Sequence, residues 1–336
     1  MKILRTDREL ECPRIDAALR AHGAKLVLLP EGITEDAVVE AARDAVIVLM
    51  CYTPITARVI EAARNLRGIV KYGVGIDAID IEAAKARRIP VVNVPAYAEE
   101  TVAEGAFALL IAMAKKLMPL TRAMQSDGWA WPTSQWLASD IAGKTIGLIG
   151  VGRIGRSMAR MAAGFRAAVL GYDPYVSGAD MQRAGVQKRT DLRAMLAECD
   201  FVSIHCVLNA ETHHLIGARE LQAMKPSAFL INVSRGAIVD EGELLRALTA
   251  RTIAGAALDV YGQEPLTRHD HPLSALYEME NVILMPHLTF YTHEAMQRLE
   301  QETLERCFEI LEGRPVRVKS RDPRLTSQRF GVVFAP

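Results

Sequence analysis

Residues Thr145 to Asp173 constrain the fold more than any other stretch. An apolar run, Thr145-Ile146-Gly147-Leu148-Ile149, breaks into Gly150-Val151-Gly152-Arg153-Ile154-Gly155. A helix-compatible segment from Arg156 to Phe165 comes next, and a second apolar run from Ala167 to Tyr172 ends at Asp173. Strand, glycine turn, helix, strand and acid is the order of a dinucleotide-binding unit. In that unit the first glycine permits the tight turn, the second lets the backbone approach a pyrophosphate, and the third lets the helix pack close to the strand. Unpaired N–H groups at the helix start, with its positive dipole end, face the phosphates. Gly150, Gly152, Arg153, Ile154 and Gly155 are therefore the expected phosphate-binding turn. Asp173 can bind both ribose hydroxyls of the adenosine half and would repel a 2′-phosphate. Pro174 and Tyr175 come after it, with no arginine nearby to receive that phosphate. The expected cofactor is NAD.

The rest of the chain repeats the same grammar. Strand candidates at 2–4, 25–29, 45–49, 68–71 and 91–94 alternate with helical segments near 13–21, 35–43, 55–65 and 80–87. Beyond the glycine turn, strands are expected at 201–205, 228–233, 253–260 and 282–285, and helices at 241–248 and 295–311. Strands alternating with helices imply parallel sheets covered on both faces. At 336 residues the chain can hold two such domains. The expected class is α/β, with two Rossmann-like doubly wound parallel-sheet domains and an interdomain cleft. Residues 1–97 and 292–336 form one domain and 98–291 the nucleotide-binding one. Glu99 to Met124 reads as one buried helix crossing between them. The segment from Arg321 on has no evident element.

Composition narrows the function classes. Lys plus Arg equals Asp plus Glu at 40 each, and no basic block points to nucleic acid or an anionic membrane. No apolar run is long enough to span a bilayer, and the first residues read as a strand, not a signal peptide. The five cysteines are scattered and form no CxxC. Reduced thiols and a cytoplasmic location are the expectation. His213-His214 has no carboxylate or thiol at zinc spacing, and adjacent histidines are expected to point apart, so no metal is expected. His269-Asp270-His271 reads as a solvated loop. Trp129, Trp131 and Trp136 fall in one irregular segment, which suggests an interface, a pocket wall or ordinary packing.

In open α/β sheets, ligands bind beyond the carboxyl ends of the strands. Arg235, Asp259, Glu264 and His287 all fall at such ends in the second half. Hydride transfer to a carbonyl needs a proton for the forming alkoxide and a grip on the substrate. A histidine suits the first, and a neighbouring carboxylate favours its charged form. A guanidinium suits the second. His287, Glu264 and Arg235 fill these roles. In the first half, Tyr72-Gly73-Val74-Gly75-Ile76-Asp77 is another glycine turn, but its following strand carries Asn93 and no terminal acid. It reads either as a plain turn or as a ring of N–H donors for a small anion. Met50 to Thr53 ends a strand and could line the substrate side or be ordinary packing.

With these segments in view the chain resembles the D-isomer-specific 2-hydroxyacid dehydrogenases, from Lys2 to about Val318. Matching stretches are Tyr72 to Asp77, Val102-Ala103-Glu104, Gly150 to Gly155, Asn232-Val233-Ser234-Arg235-Gly236, Ala257-Leu258-Asp259-Val260 and Asn281 to His287. The resemblance implies a flavodoxin-like substrate domain beside a Rossmann NAD-binding domain, and a homodimer built on the latter. It implies that His287 is the acid/base, Glu264 tunes it and Arg235 orients a 2-oxoacid or (R)-2-hydroxyacid. Val74 and Gly75 would meet the substrate carboxylate, Asp259 the nicotinamide carboxamide, and Thr101 the nicotinamide. His205, Thr212 and Val233 would lie beside the cofactor.

The sequence departs from the family at three places. His205-Cys206-Val207-Leu208-Asn209 replaces His-x-Pro-Leu-Thr, and Asn93-Val94-Pro95-Ala96 replaces Asn-Thr-Pro-Gly. Thr289-Phe290-Tyr291 replaces small residues after the histidine, and these aromatics are expected to reshape the substrate pocket. Val74 and Glu264 argue against phosphite- and formate-oxidising relatives respectively. A dinucleotide-sensing corepressor of the same fold is the alternative from another class.

Overall fold

The computed structural model describes residues 1–335, which divide into two compact units. One is Met1–Ala98 with the segment from Thr292 onward, and the other is Glu99–Tyr291. The first unit opens with β1 (Lys2–Arg5), α1 (Pro13–Ala21), β2 (Lys25–Leu28), α2 (Glu35–Ala42), β3 (Ala45–Met50), α3 (Ala57–Ala62), β4 (Gly68–Lys71), α4 (Ile81–Ala86) and β5 (Val91–Asn93). Thr34, Thr56 and Asp80 start α2, α3 and α4 by accepting the N–H three residues on. The strand order is β2-β1-β3-β4-β5, parallel throughout. This is the flavodoxin-like order. The strands β4 and β5 are buried along their whole length, as apolar strands covered on both faces should be.

The second unit runs through α5 (Glu99–Ala114), α6 (Leu117–Asp127), β6 (Thr145–Ile149), α7 (Arg153–Gly164), β7 (Ala168–Tyr172), α8 (Gly178–Arg183), β8 (Gln187–Lys188), α9 (Leu192–Glu198) and β9 (Phe201–Ile204). It continues with α10 (Ala218–Ala223), β10 (Phe229–Asn232), α11 (Glu241–Thr249), β11 (Gly255–Leu258) and β12 (Val282–Leu284). Its sheet is ordered β12-β11-β10-β9-β6-β7-β8. The order reverses between β6 and β9, and that crevice is where a doubly wound sheet binds its nucleotide.

Two expectations change here. The helix anticipated from Glu99 to Met124 is two helices, both inside the second unit. Lys116 adopts a left-handed φ of 51° and turns the chain. The helix α5 is buried on most sides, whereas α6 buries only Ala123, so the chain leaves the core at the lysine pair. The helix after the glycine turn begins at Arg153, with Gly152 as its N-cap, three residues before the expected start.

The chain ends in the first unit with α12 (His293–Leu311), β13 (Val316–Val318), α13 (Pro323–Thr326) and β14 (Val332–Phe334). The helix α12 packs on α1 and β4. The tail that the sequence could not place has a clear job. The Gln328 side chain accepts the Val91 N–H at 2.7 Å and donates to the Val91 carbonyl at 2.9 Å. It thereby covers the free edge of β5. No helix among the described residues is long and apolar enough to cross a membrane.

Candidate active site

Three neighbouring strands of the second unit, β10, β11 and β12, deliver the ionisable groups. Beyond β10, the Asn232 side chain braces the turn into Arg235. Its Oδ1 accepts the Ser234 N–H at 3.0 Å and its Nδ2 donates to the Arg235 carbonyl at 2.9 Å. Beyond β11, Glu264 Oε1 accepts the Tyr261 N–H at 3.0 Å, and the Gly262 N–H donates to Glu241 at 2.7 Å. The two loops meet backbone to backbone. A Cβ on Gly236 would lie 2.0 Å from the Tyr261 carbonyl carbon, so only glycine fits there.

Beyond β12, His287 takes a left-handed φ of 58°, a conformation disfavoured for a residue with a side chain. Asp259 holds it there. This fully buried carboxylate accepts the Leu288 N–H at 2.9 Å, the Thr289 N–H at 3.0 Å and the Thr289 hydroxyl at 2.5 Å. His287 Nδ1 lies 2.8 Å from Glu264 Oε2. Burial alone would push the Glu264 carboxyl up. The hydrogen bond and charge of His287, the Tyr261 N–H and the Arg235 charge outweigh it and leave Glu264 below its usual range. An ionised carboxylate only accepts, so Nδ1 carries the hydrogen and Nε2 is the nitrogen that can exchange a proton with a substrate. Phe290, 7% exposed, sits edge-on to the His287 ring at 6.3 Å.

At the sheet's reversal point, Gly150 has a φ of 92°, and a Cβ there would lie 2.5 Å from the Cys206 nitrogen. A Cβ on Gly155 would lie 2.3 Å from the Gly150 oxygen, which is why this glycine sits inside the first turn of α7. At Gly152 nothing lies within 4 Å of that position, so the backbone is open at the helix N-terminus. A dinucleotide pyrophosphate fits this cradle. Asp173 Oδ2 accepts the Val151 N–H at 3.0 Å and its Oδ1 the Tyr175 N–H at 2.9 Å. The acid therefore sits against the turn itself.

In the first unit, Val74 and Gly75 lie just beyond β4. Asn93 Nδ2 donates to the Val74 carbonyl at 2.6 Å, and the Val94 N–H donates to the Gly73 carbonyl at 3.0 Å. The loop's carbonyls are thus tied to β5. Among the described residues no acceptor takes the Val74 or Gly75 N–H.

The family description "D-isomer specific 2-hydroxyacid dehydrogenase, NAD binding domain" matches residues 107–289. The chain belongs to this family. It is 39% identical over 279 residues to a glyoxylate reductase of Korarchaeum cryptofilum, covering 82% of each chain. It is 35% identical over 312 residues to a D-3-phosphoglycerate dehydrogenase of Archaeoglobus fulgidus, covering 93% of this chain and 58% of that one. It resembles the crystal structure of D-lactate dehydrogenase from Aquifex aeolicus complexed with NAD and lactic acid, with a TM-score of 0.83 and 28% identity over 93% of this chain and 96% of that one. This 2-hydroxyacid dehydrogenase uses NAD as its cofactor.

The other expected site residues of the dehydrogenase lie on α5, on α7 and on the loops beyond β9 and β10. Thr101 is buried in the first turn of α5, and Val233 is buried just beyond β10. Arg153 opens α7 and pairs with Glu99 at 2.9 Å, and Ile154 is half-buried beside it. The Thr212 hydroxyl donates to the Val207 carbonyl at 2.7 Å. Asn209, where the family usually has threonine, accepts the Glu211 and Thr212 N–H groups at 2.8 and 3.0 Å, a turn that asparagine makes readily. His205 Nε2 lies 2.9 Å from Ser203 Oγ, and burial pushes its pKa down to about 4.

Three local readings are corrected and one is narrowed. His271 is 6% exposed, not solvated. Its Nδ1 accepts the Leu273 N–H at 3.0 Å, so its Nε2 carries the hydrogen and donates to the Gln263 carbonyl at 3.1 Å, bracing the Glu264 loop. The rings of His213 and His214 stack at 4.0 Å instead of pointing apart, because His214 turns left-handed with a φ of 53°. Among the described residues no group of three His, Cys, Asp or Glu could hold a metal ion. Met50 is fully buried in the core of its unit, so for that residue the packing reading of Met50 to Thr53 holds. Tyr291 is largely exposed, so of the two aromatics expected beside the acid/base only Phe290 packs on it. Sequence reasoning missed Asn232 and Tyr261 as braces. The first stands inside the Asn232–Gly236 motif. The second has no local signal, because its hydroxyl reaches the Met285 carbonyl, 2.9 Å away on the next strand's loop.

Proposed function

We propose that the protein reduces a 2-oxoacid to the (R)-2-hydroxyacid, and catalyses the reverse, with His287 as acid/base. The observation that carries this reading is the 2.8 Å contact between His287 Nδ1 and an ionised Glu264, which commits Nε2 to proton exchange. Bound NADH supplies the hydride to the 2-oxo carbon. His287 Nε2 gives its proton to the forming alkoxide, and Glu264 stabilises the imidazolium form that donates it. The Arg235 guanidinium holds the substrate's carboxylate and polarises the ketone oxygen. The Val74 and Gly75 N–H groups donate to the same carboxylate. Asp259 acts through the protein, by keeping His287 in its left-handed conformation.

The NAD-binding residues are the Gly150–Gly155 turn with Arg153 and Ile154, Asp173 for the ribose hydroxyls, and His205 and Thr212 on the loop beyond β9. Thr101 and Val233 take the nicotinamide side. We assign the homodimer to the NAD-binding unit, where Trp129 and Trp131 are 61% and 74% exposed and stack edge to face. Light scattering on wild-type and Trp131→Ala protein tests that assignment. A monomeric wild type would refute it.

The activity is tested by NADH oxidation across glyoxylate, hydroxypyruvate, pyruvate and larger 2-oxoacids. Turnover on at least one is expected. Tight NADH binding without turnover on any of them would favour a dinucleotide-sensing binding protein and overturn the enzyme reading.

A further inference from the structure

The first unit buries a lysine where its anion loop begins. Lys71, the last residue of β4, is 6% exposed. Its ammonium donates to the Cys51 carbonyl, lies 3.4 Å from Cys51 Sγ and faces the Tyr52 ring at 5.5 Å. Those are its partners, and no carboxylate among the described residues pairs with it. The acid on the same sheet edge, Asp7, is already engaged. It accepts the N–H groups of Cys51, Tyr52 and Thr53 at 2.8, 3.0 and 3.0 Å and the hydroxyls of Thr6 and Thr53 at 2.5 and 2.7 Å. A buried ammonium with no carboxylate in direct contact is costly to desolvate, and an anion arriving at the adjoining loop would offset that cost.

The arrival point is adjacent. A Cβ built on Gly73 would lie 3.2 Å from Lys71 Nζ, so the charge sits directly behind the loop. Asn93 pairs with Lys71 across the β4–β5 ladder and ties down the Val74 carbonyl. The same clamp therefore turns the loop's N–H groups away from the strand and places the lysine at its root.

We propose that Lys71 is a specificity-determining residue, the fixed counter-charge for the carboxylate that the Val74 and Gly75 N–H groups bind. Resting on the 2-oxoacid reading above, the inference names what selects the acid over a neutral ketone or aldehyde. Three hydrogens on the ammonium meet one carbonyl and one thiol, so its field remains directed at the loop. Lys71 acts through the loop and takes no part in proton transfer.

The test uses the full chain saturated with NADH. The probe is oxamate, which places a carboxylate beside a carbonyl and is inert to hydride transfer. Lys71→Gln keeps a donor for the Cys51 carbonyl and removes the charge. Lys71→Met removes both. If charge is what matters, each variant binds oxamate about tenfold more weakly or worse, with NADH affinity unchanged. The KM for the best 2-oxoacid rises in parallel, while kcat stays within about threefold. A Gln variant that binds oxamate within twofold of wild type overturns the proposal, and it decides the matter alone if the Met variant does not fold. Wild-type protein that binds no oxamate also overturns it. Oxamate binding without turnover on any 2-oxoacid would instead defeat the hydride-transfer reading, and the Lys71 comparison would still be read from binding.

Discussion

The two glycine turns carry the same core letters, Gly73-Val74-Gly75 and Gly150-Val151-Gly152, and each comes after a parallel strand. They are locked in opposite senses. In the second unit the tip of the neighbouring strand is an acid, and Asp173 accepts the Val151 N–H. In the first unit it is an amide, and Asn93 donates to the Val74 carbonyl. The acid sits against the turn's donors and presents a carboxylate suited to ribose hydroxyls. The amide takes up an acceptor and leaves the Val74 and Gly75 N–H groups without one among the described residues. The downstream segments differ as well. The helix α7 starts directly at Arg153, which aims its dipole at the turn, whereas no helix begins after Gly75 until Ile81. A glycine motif alone therefore does not specify a nucleotide. The two turns differ in the residue one strand over and in the helix that begins at one of them.

The largest effect expected concerns a residue outside both turns. If the turns only bind, chemistry resides at His287. His287→Ala should lower kcat by about a thousandfold, with NADH affinity changed little. Activity within tenfold of wild type would show that the proton comes from elsewhere. Next comes an exchange of lock. Asn93→Asp cannot donate to Val74 and puts a negative charge beside the anion loop. The KM for the oxoacid should rise about ten- to hundredfold, with NADH binding unaffected. If NADH affinity fell instead, the two turns would not be separable and the comparison would fail. Asp173→Asn is the converse and smaller change. It should weaken NADH about tenfold and narrow its advantage over NADPH, leaving oxamate affinity alone. An unchanged preference for NADH would remove Asp173 from cofactor selection.

Much of this was legible because the pattern is local. Alternating apolar strands and helices give parallel sheets, and strand ends mark where polar side chains gather. On that reasoning Arg235, Glu264 and His287 fall on three neighbouring strands, and Glu264 meets His287 at 2.8 Å. The illegible parts depend on distant partners or on single dihedral angles. Gln328 caps a strand edge 237 residues away in the chain. The break at Lys116 is one left-handed residue inside an apolar period that runs on through it. His271 looks like a solvated loop histidine until the Gln263 carbonyl and the Leu273 N–H close on its two nitrogens. The resemblance assigns Asp259 to the cofactor, and its oxygens also take three hydrogen bonds from the loop after His287, a second commitment that no spacing along the chain reveals.

The smallest expected effect lies beside the nucleotide turn and is one of stability. His205 is half-buried, but its Nδ1 atom is buried and lacks any hydrogen-bond partner, and desolvation pushes its pKa down from 6.5 to about 4. An imidazolium would carry a hydrogen on each nitrogen, and at least one would find no acceptor. The folded protein therefore holds the neutral ring, while the unfolded chain takes up a proton at the ordinary value. The unfolded state binds more protons between pH 6.5 and about 4, so stability falls as the pH drops through that window and levels off below it. The loss from this one group should be about 1–3 kcal/mol. His205→Asn removes the titrating ring, so urea denaturation of the variant should show a shallower decline across the same window. Equal slopes for the two proteins would mean that His205 is protonated in the fold. The contrast with the first turn, where no histidine lies on the strands beside Val74, would then lose its pH signature.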